Sequence, residues 1–341
     1  MIRFKFSTYV RLQTMKNPME PHGQANGTKD TPRWGEHPVP FRQAFPTFND
    51  GGIGAGIDLT ISLITRNSVD LILRCLDSIY KQKGLNLQVL LVDNGSTDQT
   101  AKLVRQRFPR VAVTRNKSNL LFTKAHNQNL KKARGRYFLV VNDDTLIPKN
   151  TLPKIVRFMD THPQVGIAGC LQKKPDGQIE MTGTDYPTPL VEFFDSTLAG
   201  KLLLKLFPLP KVSRLLKNYR YTGWDRRSSR TIGAVSGAFF MGRSDLLKTI
   251  GLFDENLWLY FEELDYCARA KARGWSTYHV ANVAIIHLHT QTIIKLPAFF
   301  RYRIAEHDTL AYYKKYFGDF WHWFLWLAYR PNWLLWKLRP D

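Results

Sequence analysis

The sequence is poor in several things that would place it elsewhere. Its three cysteines, Cys75, Cys170 and Cys267, are odd in number and scattered, with no CxxC and no histidine at metal-ligand spacing. That excludes a disulfide-built scaffold and a zinc–thiolate site, and it suits a reducing cytoplasm. No apolar run reaches the roughly 18–20 residues of a bilayer-crossing helix. The nearest stretch, Phe320 to Tyr329, stops at Arg330 and Pro331. The opening MIRFKFSTYVRLQ is broken by charge before it reaches a signal-peptide core, which argues against secretion. Acid is scarce too: 28 Asp and Glu against 49 Lys and Arg leave a formal net charge of +21. Such an excess concentrates polyanions at the surface without saying whether nucleic acid, anionic lipid or a nucleotide diphosphate is meant. The cluster GGIGAG at 51–56 precedes the first strand instead of joining a strand to a helix, so it lacks the geometry of a dinucleotide loop.

What is present is a regular alternation. Residues 1–56, rich in Pro, Gly, Asn and charge, read as a flexible leader, and 57–295 as the main domain. Apolar runs at Leu59 to Thr65, Leu87 to Asp93, Val111 to Asn116 and Tyr137 to Asp143 predict four strands. Helical spacing predicts helices after Ser68, over Thr97 to Phe108 and over Leu120 to Ala133. Strands alternating with helices predict an α/β fold, a Rossmann-like, mostly parallel sheet with helices on both faces. Beyond it come a helix near Thr151 to Asp160, a strand at VGIAGC and a hairpin through PDGQ. Residues 184–230 break the rhythm as a basic amphipathic insertion. A strand AVSGAFFMG, helices Ser244 to Ile250 and Glu262 to Ala272, and strands near Ser276 to His279 and Ala284 to His287 complete the domain.

Two strand ends are acidic: VDNGSTD (Val92 to Asp98) and VVNDDT (Val140 to Thr145). Open α/β sheets bind ligands at the carboxyl ends of their strands, so Asp93 and Asp144 are expected to line one crevice. A carboxylate there costs stability unless water, metal or ligand satisfies it. The competing explanation for Asp93, Asn94, Ser96 and Asp98 is turn and cap chemistry ahead of the second helix. For Glu262, Glu263 and Asp265 it is a helix-dipole role, with Asp265 and Arg269 as a simple i,i+4 ion pair.

Taken in order, SLITRN, VDNGSTD, NLLFTKAHN, VVNDDT, VSGAFFMGRSDLLKTIGLFDEN, YFEELDYCARAKARGW and AIIHLH resemble glycosyltransferase family 2 enzymes of the glycosyltransferase-A fold. The similarity is closest to their bacterial rhamnosyltransferase-like branch and covers about residues 58–290. The resemblance implies an inverting, metal-dependent transfer of a sugar from a nucleotide-diphosphate donor, dTDP- or UDP-linked, to a hydroxyl on a polysaccharide or polyprenyl-linked acceptor. It implies a nucleotide and sugar side formed by Thr65, Asn67, Asp93, Asn94, Ser96, Asn119, Asn127, Asn142 and Asp143. Asp144, with His287, would hold a divalent cation, Mg²⁺ or Mn²⁺. Glu263 would be the general base, with Glu262, Trp258 and Tyr260 on the acceptor side. The chain departs from the family in carrying Leu121, Thr123 and Lys124 where Gly or small residues are usual, and Glu263 where many relatives have Asp. It lacks the QxxRW motif of processive synthases.

The tail, 296–341, mixes Trp, Tyr and Phe with Lys and Arg, and reads as amphipathic helices lying on an anionic membrane surface. The alternatives are a helical hairpin packed on the domain or a contact in a homo-oligomer. The expected location is the inner face of the plasma membrane, as a peripheral protein. A non-catalytic membrane- or nucleic-acid-binding protein is the reading from another class. No nucleic-acid recognition motif appears, and acidic strand ends repel phosphate unless a cation intervenes.

Overall fold

The computed structural model of the protein describes residues 56–288 and 297–337. Almost all of the expected leader, and His289 after the last strand, lie outside the described residues. The first half follows the alternation: β1 (Leu59–Thr65), α1 (Val69–Tyr80), β2 (Leu87–Asp93), α2 (Thr100–Arg107), β3 (Ala112–Arg115), α3 (Leu121–Leu130) and β4 (Tyr137–Val141). β1 pairs in parallel with β2 and β4, and β2 with β3. In this register Thr65 lies level with Asp93. The second helix starts at Thr100 and not Thr97, because the Asp98 carboxylate takes both the N–H and the hydroxyl of Thr100, at 3.0 and 2.5 Å. A side chain bonded to the backbone two residues on competes with helix in this way.

The second half adds β5 (Thr145–Leu146), α4 (Thr151–Thr161), β6 (Val165–Lys173), β7 (Arg230–Thr231), β8 (Phe239–Arg243), α8 (Ser244–Thr249), α9 (Glu262–Ala272) and β9 (Ser276–His287), with three helices, named below, between β6 and β7. The sheet has nine strands in the order β3-β2-β1-β4-β8-β6-β9-β5, with β7 against β9. It is mixed: β8 runs antiparallel to β4 and β6, while β9 is parallel to β6 and antiparallel to β5 and β7. The insertion leaves from the end of the sheet where β6 stops and returns there, so β8 begins where β4 finishes. The carboxyl ends of β1, β2, β4, β6 and β9 therefore share one edge with the start of β8. The two short strands expected near Ser276 and Ala284 are one, bulged where Cys170 pairs with Val280 and Leu171 with Ala284.

Side-chain alternation feeds two cores. Tyr137, Leu139 and Val141 of β4 face α1 and α4, whose Ile72, Cys75, Leu76, Ile79, Leu152, Ile155 and Met159 are buried at helical spacing. Phe138 and Val140 face the other side, with Leu130, Leu264, Tyr266 and the long helix α10 (Ala298–Phe317). Burying each such side chain is worth about 1.5–3 kcal/mol.

The insertion is α5 (Pro189–Ser196), α6 (Leu198–Leu206) and α7 (Pro210–Tyr219); α11 (Asp319–Ala328) and α12 (Arg330–Lys337) follow α10. Not every cation of the insertion serves its surface. Arg226 is fully buried, and its guanidinium donates to the carbonyls of Thr182, Gly183, Arg220, Tyr221 and Trp224. One side chain thus ties the loop that precedes β7 to the segment that follows β6. The tail is packed in part: Tyr302, Tyr312 and Tyr313 of α10 are buried in the second core, while Phe320 and Leu327 of α11 are exposed.

Candidate functional site

At the shared sheet edge, Thr65 donates to Asp143 Oδ2 at 2.7 Å, joining the end of β1 to the turn after β4. Asp93, at the end of β2, is fully buried. Its Oδ1 accepts the Ser96 N–H at 3.0 Å, as turn chemistry requires. Its Oδ2 has no hydrogen-bond partner among the described residues and faces Arg115 Nε at 3.4 Å. Turn chemistry therefore uses one oxygen of this carboxylate, and the other is ion-paired with Arg115. Ser96 Oγ accepts the Asn67 N–H at 3.0 Å, and Asn67 Oδ1 accepts the Thr97 N–H at 2.8 Å, so the two strand-end loops brace one another. Gly95, at φ +81°, permits the tight turn, since a Cβ there would meet the Ser118 backbone at 2.8 Å.

The asparagines predicted on the nucleotide side are largely spent inside the protein. Asn94 donates to Asn119 Oδ1 and Leu121 O, and accepts from Asn116 and the Leu120 N–H, so it holds the loop entering α3. Asn119 also accepts the Leu121 N–H. Asn127 is buried and bonds Phe253 O, Glu255 Oε1 and the Phe253 N–H, which tie α3 to the turn before α9. Its amide nitrogen donates both bonds to that turn. Leu121, at the start of α3, sits at φ +61°.

Glu262 and Glu263 open α9 after Phe261, itself in the left-handed region at φ +65°. Gly237 donates its N–H to Glu263 Oε1 at 2.9 Å; a Cβ at Gly237 would sit 2.7 Å from that oxygen, so only glycine lets the carboxylate approach. Burial, then the neighbouring Glu263, pushes Glu262 well above the usual carboxylate range. Burial also raises Glu263, against the Gly237 N–H, which favours its charged form. The Gly237 N–H favours charge on Glu263, while Glu262 Oε2 has no hydrogen-bond partner among the described residues. Asp265 is fully buried and bound by Arg269 at 2.8 Å, Lys315 at 2.6 Å and Tyr316 at 2.8 Å, a structural knot between α9 and α10.

One backbone bond links the segments that carry Asp144 and hold Glu263. Asn142 donates its N–H to Ala238 O at 3.4 Å, next to the glycine that holds Glu263 and two residues before Asp144. On the other flank β5 pairs with the end of β9, setting Thr145 opposite His287. His287 Nε2 then lies 3.2 Å from Asp144 Oδ1, and Nδ1 lies 3.5 Å from Glu180. Burial opposes charge on His287, yet hydrogen bonds to the two acids outweigh it and raise the group to about 9.

Among the described residues no group of three or more His, Cys, Asp or Glu side chains is arranged to hold a metal ion. A hard divalent cation needs fewer: Mg²⁺ takes one or two carboxylates with the rest of its shell from water and phosphate. The 3.2 Å contact of Asp144 with His287 is a hydrogen bond in this state, and His287 would have to give up that proton to join Asp144 on one cation.

Three contributors escaped the sequence reading. Glu180, expected only as part of a hairpin, reaches His287. Gly237 carried no signal beyond a small residue in an apolar run. Asp308, on α10, accepts the N–H groups of Trp258, Leu259 and Tyr260 at 3.0, 2.9 and 2.9 Å. Trp258 lies flat on His307, ring centroids 3.7 Å apart. Its carbonyl accepts the Phe122 and Thr123 N–H groups, so the predicted acceptor-side segment joins α3 to α10.

The profile of the family described as Glycosyl transferase family 2 matches residues 60–251, more than half of the 341 residues. The N-acetylglucosaminyl-diphospho-decaprenol L-rhamnosyltransferase of Mycobacterium tuberculosis is 25% identical over 237 residues, 66% of this chain and 73% of the relative. The succinoglycan biosynthesis protein ExoO of Rhizobium meliloti is 30% identical over 107 residues, 30% of each chain. Among solved structures, the mannosyltransferase PcManGT from Pyrobaculum calidifontis, in complex with GDP-Man and Mn²⁺, has a TM-score of 0.51 at 19% identity. That match covers 78% of this chain and 66% of the solved one. GalNAc-T7 with UDP, GalNAc and Mn²⁺ also scores 0.51, at 12% identity, over 68% of this chain and 43% of that one. The shared architecture is the glycosyltransferase-A-like α/β fold, a mixed sheet between helical layers.

Proposed function

The chain belongs to glycosyl transferase family 2, a nucleotide-sugar-dependent enzyme, and from that premise we propose an inverting transfer of one sugar to a lipid-linked or polysaccharide acceptor in cell-surface glycan synthesis. The likeness to the mycobacterial rhamnosyltransferase supports rhamnose as the transferred sugar, with dTDP-rhamnose as the proposed donor, and a polyprenyl-diphosphate sugar as the acceptor. Such an acceptor puts the enzyme at the inner face of the plasma membrane, with 57–295 as the catalytic unit.

Asp93, at the end of β2, would accept the N–H of a pyrimidine base once its Oδ2 turns from Arg115, and Asp143, oriented by Thr65, reaches the ribose or sugar hydroxyls. Asp144 and His287 would hold a divalent cation, which when bound neutralises the diphosphate; the Mn²⁺ in both solved structures supports that assignment. Glu263 takes the proton of the acceptor hydroxyl as its oxygen attacks the anomeric carbon. The bond to the diphosphate breaks on the opposite face, so one displacement inverts the anomeric configuration. Glu262, holding a proton beside it, keeps a second negative charge out of the pair.

The observation that carries this reading is the common edge: the backbone bond from Asn142 to Ala238 sets the Asp144 turn against the glycine that holds Glu263. Thermal unfolding with UDP-, dTDP- and GDP-sugars, with and without Mn²⁺, tests it. A true donor raises Tm by mass action, and does so more with the cation present. A flat response to every donor refutes the proposal.

A further inference from the structure

The catalytic edge leaves one large feature unused: the helical layer on the flank of α10. Helices α5, α6, α12 and α11 touch in a closed ring, each packed on the next. Asn332 of α12 accepts the Leu198 N–H at 2.7 Å and donates to Ser196 O at 2.9 Å, and Phe193 of α5 meets Phe324 of α11 at 5.2 Å. Insertion and tail are therefore one unit. Its outer side chains are unpacked: Leu206, Phe207, Phe320, Trp323, Leu327 and Leu334 are each more than half exposed.

We propose that this composite face seats on an anionic lipid bilayer. The charge pattern selects that occupant. From Ser196 to Trp224 the chain carries six Lys and Arg and not one Asp or Glu. Lys205, Lys211, Arg214 and Lys217 are exposed, and among the described residues none of them is paired with a carboxylate. A helix with leucine and phenylalanine on one side and lysine beside them lies at the headgroup level, where Trp rings also prefer to sit. A second copy of the same face would bring like charges together, which disfavours a symmetric dimer through it. The inference deepens the lipid-linked-acceptor reading and rests on it only for why the enzyme would go there. α10 packs on α11 and α12 and also holds Trp258 through Asp308, so the bilayer would lie against the acceptor side.

Flotation of the full chain with vesicles of phosphatidylcholine alone, and of phosphatidylcholine with phosphatidylglycerol, tests this without any sugar transfer, so its failure is separate from failure of the donor assay. Binding is expected only with the anionic vesicles. Lys205→Gln, Lys211→Gln and Lys217→Gln together should weaken it on the order of a hundredfold, from about fivefold per cation. Phe320→Ser with Trp323→Ser, both more than half exposed and, among the described residues, in ring contact only within α11, should weaken it with little change in Tm. Equal binding to both vesicles, no binding to either, or variants that change oligomeric mass and not flotation would each overturn the proposal.

Discussion

The carboxylate of Asp308 accepts the backbone N–H of Trp258 at 3.0 Å across fifty positions of sequence, and with its second oxygen the N–H groups of Leu259 and Tyr260. A single buried acid on α10 therefore fixes the segment that delivers Phe261 and the two glutamates.

Replacing that acid by its amide sets an NH₂ against one of these backbone donors. Asp308→Asn should lower stability by about 1–3 kcal/mol, the cost of leaving buried donors unmatched. In the proposed enzyme it should also raise KM for the acceptor while donor-induced protection stays unchanged. Urea unfolding and steady-state kinetics read both, and unaltered acceptor KM would show that Asp308 serves stability alone.

Glu263→Gln should reduce kcat by about 10²–10⁴-fold with folding and donor protection retained. The pH profile carries a second signature. A base must be ionised, and burial raises this one, so activity should fall with acid at a pH above the ordinary carboxylate range. An acid limb at or below that range would contradict the assignment.

Asp144→Asn should leave the fold intact and abolish the extra Tm gain that Mn²⁺ gives with donor. His287→Ala should act in the same direction. Metal-dependent protection that survives both changes would move the cation elsewhere.

His126 offers a test of the core. It is buried, its Nδ1 lies 2.7 Å from Ser62 Oγ, and burial lowers it to about 3. Its folded value lies below its unfolded one, so its contribution is complete above about pH 6.5 and declines as pH falls toward 3. The slope is about 1.4 kcal/mol per pH unit at most. Urea midpoints of wild type should drop between pH 7 and 5 more steeply than those of His126→Gln; equal slopes would exclude His126 as the source.

Leu121 sits at φ +61°, a conformation that costs a non-glycine residue about 1–2 kcal/mol. Leu121→Gly and Leu121→Ala lose the same side-chain contacts to within a methyl, but only the first relieves the backbone. The glycine variant should be more stable than the alanine variant by about 1 kcal/mol, measured by thermal or urea unfolding. The reverse order would mean that the loop relaxes.

The alternation of strands and helices through β4, and the start and end of α9, were legible because apolar period and, at α9, acidic first-turn residues act over a few positions. So were the acidic strand ends, since a carboxylate placed after a buried strand has few structural uses. Asn94 and Asn127 were not: an asparagine at a helix start reads as a ligand contact or an internal tie depending on partners far along the chain. In Asp93 the oxygen that closes the turn and the oxygen paired with Arg115 look identical in sequence.

Local chemistry, then, determined which residues could bind and react at this sheet edge, because side-chain type and period are written position by position. Only the tertiary structure decided which of them meet. Two-residue β5 carries too little periodicity to be seen, yet its pairing with β9 sets Asp144 beside His287. The route of the insertion, running out from and back to one end of the sheet, sets the start of β8, and with it Gly237 and Glu263, against the end of β4. The hold of Asp308 on Trp258 likewise depends on the packing of α10. Each is a contact between distant segments, fixed by the lowest-energy packing of the whole chain and by no short stretch of it.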